Sequence, residues 1–139
     1  MILEEFLEAH HRFRFGGIGG NDCMTFAAAW VKEATGVDVI AHLRGSYSDA
    51  VGADIVIQRH GGLIAITDNL LSAHGFQRTR KPCDGDVGIV RIPADLAFGG
   101  EAVKEIAAVR WGPLWCGLTP KGGVVRKRME WVAAWRIAA

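Results

Sequence analysis

The sequence predicts an α+β fold in which N-terminal helices pack on a small antiparallel sheet formed by the C-terminal half of the chain. Apolar residues recur at helical spacing before Gly75. After Gly75 the apolar segments are shorter, alternate with polar residues and are rich in β-branched side chains. Half of the 139 residues are apolar and 22% are charged, as in compact globular proteins, so we expect a single domain over residues 1–139.

Two helices are expected in the first quarter of the chain. An apolar stripe at i, i+3, i+4 and i+7 predicts an amphipathic first helix that ends near Phe15. After a glycine-broken turn, a strongly apolar second helix is expected over residues 24–34, with Asn21 or Asp22 as its N-cap. Gly36 stands just past its end, where a left-handed residue commonly closes a helix. We expect this second helix to be central and largely buried.

Two further helices are expected after a polar connector. Ser46 or Ser48 can cap a third helix, which runs to the Gly61-Gly62 break. A fourth helix is expected over residues 63–73, and it ends before Gly75 because glycine favours the conformation that follows a helix.

Strands are expected in the C-terminal half. Residues 86–92 alternate and are β-branched, which predicts a strand. Further strand segments are expected over residues 107–110, 114–118 and 124–126. Residues 131–137 fit either a helix, because two tryptophans are helix-spaced, or a closing strand.

Charge and composition argue against several classes of partner. A net charge of +1 gives no general attraction to nucleic acid, and the basic groups, Arg78–Lys81 and Lys121 with Arg126–Arg128, are short. No run of about 18 apolar residues occurs, so no membrane span is expected. The N-terminus is acidic where a signal peptide would be basic, which favours synthesis in the cytoplasm.

No cofactor and no metal are expected. The cysteines are three in number and lack a C-x-x-C pair, which favours free thiols over a disulfide framework or a metal site. The glycines of residues 16–20 lack the Gly-Lys-Ser/Thr of a phosphate-binding loop.

Cys23 is the most informative position for chemistry. It stands in the first turn of the second helix, where unpaired backbone N–H groups and the helix dipole favour an anion. That position predicts a lowered thiol pKa and an available thiolate nucleophile. Free cysteines are also commonly buried and inert, so the alternative is a structural thiol. The preceding Asp22 can either cap the helix or polarise the site.

Four motifs resemble those of one superfamily. They are Gly20-Asn21-Asp22-Cys23, Arg44-Gly45-Ser46-Tyr47, Gly85-Asp86 and Ala134-Trp135-Arg136-Ile137. The first three resemble, in order, the motifs of NlpC-type peptidases, the bacterial branch of the papain-like cysteine hydrolases. The full set is similar to small proteins encoded among phage and prophage tail genes, in the genomic position where gene transfer agents carry a cell-wall peptidase. The resemblance implies a papain-like core and a virion tail or baseplate role, after synthesis in the host cytoplasm.

The resemblance also implies a catalytic pair, which the sequence supplies only in part. In the family a histidine opens the strand after the Gly-Asp strand, but residues 105–112 contain none. Since acyl transfer by a thiol needs a placed base, we expect a non-catalytic component that packs on hub or distal tail proteins.

The alternative is a tail-associated cysteine peptidase or amidase that cleaves peptidoglycan peptides. The resemblance makes Cys23 its nucleophile, with the Cys23 amide in an oxyanion hole and Asp22 beside it. His42 is the candidate base, because the connector that carries it passes near the cysteine in the family fold. His60 and His74 lie at predicted helix ends, where histidine is common for electrostatic reasons, and are expected to be structural.

Overall fold

Four helices and one five-stranded antiparallel sheet make up the part of the chain that the structure describes, which confirms the predicted α+β class. The structure is a computed structural model, and it describes residues 2–93, 103–120 and 123–137. The helices are α1 (Leu3–Glu8), α2 (Cys23–Thr35), α3 (Ala50–Arg59) and α4 (Leu63–Ser72). The strands are β1 (Val87–Pro93), β2 (Val103–Trp111), β3 (Leu114–Thr119), β4 (Gly123–Lys127) and β5 (Glu130–Trp135). No helix among these is long and apolar enough to cross a membrane.

Helix α2 is the central helix, as predicted. Asp22 is its N-cap, and Gly36 closes it in the left-handed conformation with φ +81°. The side chains that α2 buries include Phe26, Trp30 and Val31, which pack in the main core. The indole N–H of Trp30 donates to the carbonyl of Gly85 at 2.8 Å, so this helix is also tied to the start of the sheet.

The first helix is shorter than the sequence predicted. Helix α1 ends at Glu8 rather than near Phe15. The chain beyond it pairs its backbone with the loop that precedes α2. Arg12 accepts from the Asn21 N–H and Arg14 donates to the Asn21 carbonyl, each at 2.9 Å. A helix cannot continue through residues whose N–H and C=O groups are committed to another segment.

The third helix has a different cap from the one predicted. Asp49, and neither Ser46 nor Ser48, is the N-cap of α3, and its carboxylate accepts from the Gly52 N–H at 2.7 Å. No residue of α3 is buried, whereas α4 buries an apolar face. Helix α3 therefore lies on the surface of the fold, with apolar side chains left in contact with solvent.

The sheet has the strand order β4-β3-β2-β1-β5, and every pairing is antiparallel. Strand β2 begins at Val103, four residues before the predicted segment, because it pairs with β1 along the whole of residues 87–93. The ambiguous residues 131–137 form most of β5 and a short extended end. Lys121, of the predicted basic group, lies outside the described residues.

The sheet is curled rather than flat. Strands β4 and β5 are at opposite edges, yet only two residues separate Lys127 from Glu130. Three Cα–Cα steps span at most about 11 Å. The edges of a flat five-stranded sheet are about 19 Å apart. The two edges must therefore approach each other, so the sheet forms an open barrel.

This curl gives the molecule two cores. The outer face of the sheet, with residues such as Ile89 and Ala107, packs on the helices. The inner face encloses Trp115, which is fully buried against residues such as Val90 and Ile106. Gly88 makes room for that indole, because a Cβ at position 88 would lie 2.5 Å from the ring.

Candidate functional site

The buried side chain of Asp22 caps the N-terminus of α2 and bonds to several other segments. One of its carboxylate oxygens accepts from the Thr25 N–H at 2.9 Å, while the Thr25 hydroxyl accepts from the Asp22 N–H at 2.9 Å. This is a reciprocal capping box. The second oxygen accepts from the Gly16 N–H at 3.1 Å and from the Tyr47 hydroxyl at 2.5 Å. Three donors thus hold the carboxylate of a residue that is only 4% exposed.

The connector motif is the structural partner of the Asp-Cys turn. Tyr47 reaches Asp22, and the Gly45 N–H donates to the Gly16 carbonyl at 2.7 Å. Gly16 has φ +90°, and a Cβ there would lie 2.1 Å from the Tyr47 carbonyl oxygen, so only glycine fits. Burial and the charge of Asp22 raise the pKa of Tyr47 well above its ordinary value, so its hydroxyl remains a donor.

Arg44, the first residue of that motif, forms hydrogen bonds that stabilise the same turn before α2. Its guanidinium donates to Asp38 at 3.2 Å and, with a longer contact of 3.4 Å, to the Gly17 carbonyl. The G-x-D-C and R-G-x-Y motifs are therefore two halves of one hydrogen-bonded structure.

The other two motifs form a second pair. Asp86 is fully buried, and its carboxylate accepts from the Arg136 guanidinium at 2.9 Å and from the Cys83 and Ile137 N–H groups at 2.8 and 3.1 Å. The hydrogen bond and the charge of Asp86 raise the pKa of Arg136. The neighbouring Trp135 is also buried and donates to Asp68 at 2.9 Å. The G-D and A-W-R motifs thus fasten the C-terminal segment to the sheet.

The thiol of Cys23 is held in its protonated form. Burial, and then the charge of Asp22, raise its pKa to about 12. The backbone N–H groups of Ala107, Met24 and Cys23 itself lower this pKa, but by less than burial and Asp22 raise it. The expected lowering of this pKa is therefore wrong. The helix N-terminus does favour an anion, but desolvation and an adjacent carboxylate outweigh it.

Cys23 opens onto a cleft of about 420 Å³ between the N-terminus of α2, helix α3 and the start of β2. The lining is mainly apolar. Its charged side chains beyond Asp22 are Asp54, Lys104 and Glu105. A cleft of this size and composition can accommodate a ligand. No histidine is among its lining residues, so the described geometry supplies no imidazole base to the thiol.

His42 lines a different depression from Cys23. It shares about 210 Å³ with His60 and His74, the other downstream histidines. The structure thus gathers all three in one depression, and Cys23 is not among the residues that line it. His60 is further engaged through Nδ1 with the Val56 carbonyl at 2.8 Å. No group of potential ligands among the described residues is arranged to hold a metal ion.

Three charged residues of the cleft were not predicted from the sequence. Lys104 and Glu105 follow Val103 at the start of β2, the strand in which the family resemblance placed a histidine, and Asp54 lies on α3. The available signal was the pair of charges at the start of the strand that follows the Gly-Asp strand. Their approach to Cys23 depends on how β2 passes the end of α2, which no local pattern encodes.

Comparison with known proteins gives one match. A family model described as a domain of unknown function, DUF6950, matches residues 2–137. No curated protein and no solved structure matches the chain.

Proposed function

We propose that this chain, which belongs to the DUF6950 family, is a non-catalytic papain-like domain that serves as a structural component of a phage or phage-like tail. One observation carries the non-catalytic part. The Cys23 thiol has a pKa of about 12 and shares its cleft with no histidine of the described chain. A cysteine hydrolase needs a thiolate and a base that can take and return its proton.

Architecture supports the papain-like part of the proposal. A cysteine begins a central helix, that helix packs on an antiparallel sheet, and the strand that follows Gly85-Asp86 lies inside the sheet, between β2 and β5. The motifs that resemble the family hold this arrangement together through Asp22 and Asp86. Their chemistry is structural, so the domain can keep the architecture without an activity.

The tail setting rests on the resemblance of the four motifs to proteins encoded among tail genes. In that setting the domain would pack against hub or distal tail proteins in the virion tail or baseplate. Mass spectrometry of purified particles from an induced producer strain tests it. The chain should be present at a stoichiometry fixed relative to the major tail protein. Its recovery only in the particle-free lysate would contradict a virion location.

A cysteine peptidase or amidase acting on peptidoglycan peptides remains the second candidate, and one observation favours it. The backbone N–H groups of Ala107, Met24 and Cys23 lie close enough to the Cys23 thiol to lower its pKa. Donors of this kind stabilise a thiolate or an oxyanion once one forms. In this candidate the missing base arrives from a partner chain.

Thiol reactivity separates the two candidates. At pH 7.5, iodoacetamide should modify the exposed Cys83 readily and Cys23 slowly, with the sites distinguished by peptide mass mapping. The variant Cys83→Ser, which leaves Cys23 in place, should lose nearly all of the rapid modification, whereas Cys23→Ser should keep it. Rapid modification of Cys23 with a midpoint well below pH 8 would instead favour the hydrolase.

A further inference from the structure

Part of one edge of strand β2 has no backbone partner among the residues that the structure describes. It pairs with β1 from Val103 to Val109, but its pairing with β3 covers only Val109 to Trp111. The Arg110 N–H donates to the Asp86 carbonyl, on the β1 side. Because strand residues alternate in the edge to which they point, the odd-numbered residues of β2 present their N–H and C=O groups to the other edge.

Cys23 marks the inner end of this free edge. The Ala107 N–H, on the same edge of β2, lies close enough to the Cys23 thiol to lower its pKa. Beyond it, Val103 and Glu105 each offer an N–H and a C=O, and neither has another backbone partner among the described residues. Glu105 also lines the cleft. The free edge is therefore a wall of the same cleft onto which Cys23 opens.

The opposite wall is apolar and exposed. Helix α3 contributes Val51 and Ile55, which are 70% and 46% exposed although both line the cleft. Glu105 shares the helix-facing side of the sheet with Ala107, so its carboxylate and the α3 side chains border the same space. Unpaired strand groups beside an apolar wall form the type of surface to which extended peptides add as a strand.

The charges at this surface indicate which kind of peptide segment would bind there. Asp54 and Glu105 contribute two carboxylates and Lys104 one ammonium group. Glu105 contacts Arg91 at 3.6 Å, but Arg91 also contacts Glu130 at 3.7 Å, so two carboxylates share one guanidinium. The surface that faces an incoming strand therefore has an excess of negative charge.

We propose that the Val103–Glu105 edge binds an extended segment of a partner protein by strand addition, with basic side chains directed toward Glu105 and Asp54. The aliphatic stem of a lysine or arginine would lie along the apolar side chains of α3, and its charged end would reach the two carboxylates. This deepens the proposed function, because the segment would belong to a neighbouring protein of the assembly. Its chemical basis, however, is independent of the tail setting.

A second copy of this chain is a poor occupant of the same edge. Only odd-numbered residues face outward, so antiparallel pairing of two copies across the free part would centre on Lys104 or on Glu105. Either arrangement places like charges directly opposite each other, which is unfavourable in a sheet. The edge thus favours a basic segment of a different sequence.

The test uses the full chain and a fluorescein-labelled, end-blocked hexapeptide of alternating lysine and valine, followed by fluorescence anisotropy. Attraction between opposite charges should place a peptide lysine directly opposite Glu105, whose N–H and C=O face outward. The backbone N–H groups of the lysines then face the edge of β2. We expect saturable binding. N-methylation of the lysine amides should weaken it by about tenfold or more, since backbone hydrogen bonds are lost. N-methylation of the valine amides, which point away, is the matched control and should change the affinity little.

Two variants probe the protein side. Glu105→Pro removes an N–H that faces outward and leaves the β1–β2 pairing intact, so it should weaken binding about tenfold or more. Glu105→Gln keeps the N–H and the length of the side chain and removes the charge, so it should weaken binding of the lysine peptide less than Glu105→Pro. Replacing the peptide lysines with glutamates should abolish binding. If Glu105→Pro does not fold, the difference in affinity between the two N-methylated peptides still tests the proposal.

Several results would overturn the proposal: no saturable binding, equal binding of both N-methylated peptides, or binding unchanged by Glu105→Pro in a folded protein. Self-association through this edge, which Glu105→Pro would disrupt, would contradict the choice of occupant. None of these results alters the reactivity of Cys23 toward iodoacetamide. A failure here and a failure of the non-catalytic proposal are therefore distinguishable.

Discussion

Tyr47 donates its phenolic proton to Asp22 across 2.5 Å and so joins two motifs that lie 25 residues apart in the sequence. The acceptor is the carboxylate that caps α2, immediately before Cys23. In a cysteine hydrolase, polar residues next to the nucleophile are expected to serve the reaction. Here they complete a buried hydrogen-bonded node. The motif that draws attention to a catalytic cysteine therefore has a structural explanation that needs no catalysis.

Tyr47→Phe should measure the contribution of this bond. It removes the hydroxyl and leaves a buried carboxylate with one donor fewer. Hydrogen bonds to charged groups contribute about 1.5–3 kcal/mol, so the free energy of unfolding in urea should fall by about that amount. Ser46→Ala is a nearby control, because its hydroxyl donates only to a neutral carbonyl, that of Leu43. Equal losses in the two variants would contradict a charge-assisted bond.

The raised thiol pKa values predict a loss of stability at alkaline pH. Burial raises the pKa of Cys23 to about 12 and that of Cys116 to about 11. An unfolded cysteine ionises near pH 8.5, so above that pH the folded state binds more protons than the unfolded state. The free energy of unfolding must therefore fall as pH rises from about 9 toward the folded pKa.

The variant Cys23→Ala measures how much the Cys23 thiol contributes to this loss of stability. Each group contributes up to about 1.4 kcal/mol per pH unit to the slope in this window. Urea unfolding at several pH values between about 9 and 10.5 should give a shallower decline for Cys23→Ala than for the wild type. Cys116→Ala should give a similar reduction for its own thiol. An unchanged slope in Cys23→Ala would refute the raised pKa of Cys23.

Asp86→Ala should destabilise the sheet and its C-terminal connection. The substitution leaves three donors without their acceptor, on Cys83, Arg136 and Ile137. Hydrogen bonds to a charged group contribute about 1.5–3 kcal/mol, and the Arg136 side chain, which is 40% exposed, can be solvated in place of its partner. We expect a loss of that size in urea unfolding, with faster hydrogen exchange at the Ile137 amide. The control Asp54→Ala, on the exposed surface of α3, should stay within about 0.5 kcal/mol of the wild type.

The local patterns of the sequence predicted most of the secondary structure. Helix α2 agrees to within one residue at each end, because its cap, its apolar content and Gly36 are all local signals. The end of α1 was not predictable in this way. Residues 12 and 14 leave the helix to pair with Asn21, and that pairing forms only when the loop before α2 folds back.

The candidate site was predictable only in its position. The sequence correctly places Cys23 at a helix N-terminus, but it does not show that the fold desolvates the thiol, and desolvation decides the direction in which its pKa shifts. Likewise, the Asp22 cap follows from residue type, whereas its bond to Tyr47 is a tertiary contact. Glu105 lies near Cys23 only because β2 passes the end of α2.

The curled sheet makes a final prediction about Gly88 and Trp115. A Cβ at position 88 would lie 2.5 Å from the Trp115 ring, in the buried core on the inner face of the sheet. Gly88→Ala should therefore destabilise the protein by about 1–3 kcal/mol, the usual cost of overpacking. Trp115→Leu should relieve the collision. It sacrifices no hydrogen bond within the described residues, because the indole N–H of Trp115 has no partner there.

The double variant Gly88→Ala/Trp115→Leu should thus be less destabilised than the sum of the single variants, by about 0.5–3 kcal/mol in urea unfolding. Gly117→Ala is the matched control on the same inner face, since a Cβ at position 117 would approach the Ile106 side chain at 2.8 Å and not the indole. Trp115→Leu should relieve that second collision far less. If the two glycine variants were rescued equally, the effect would reflect general loosening of the inner core and not the contact between Gly88 and Trp115.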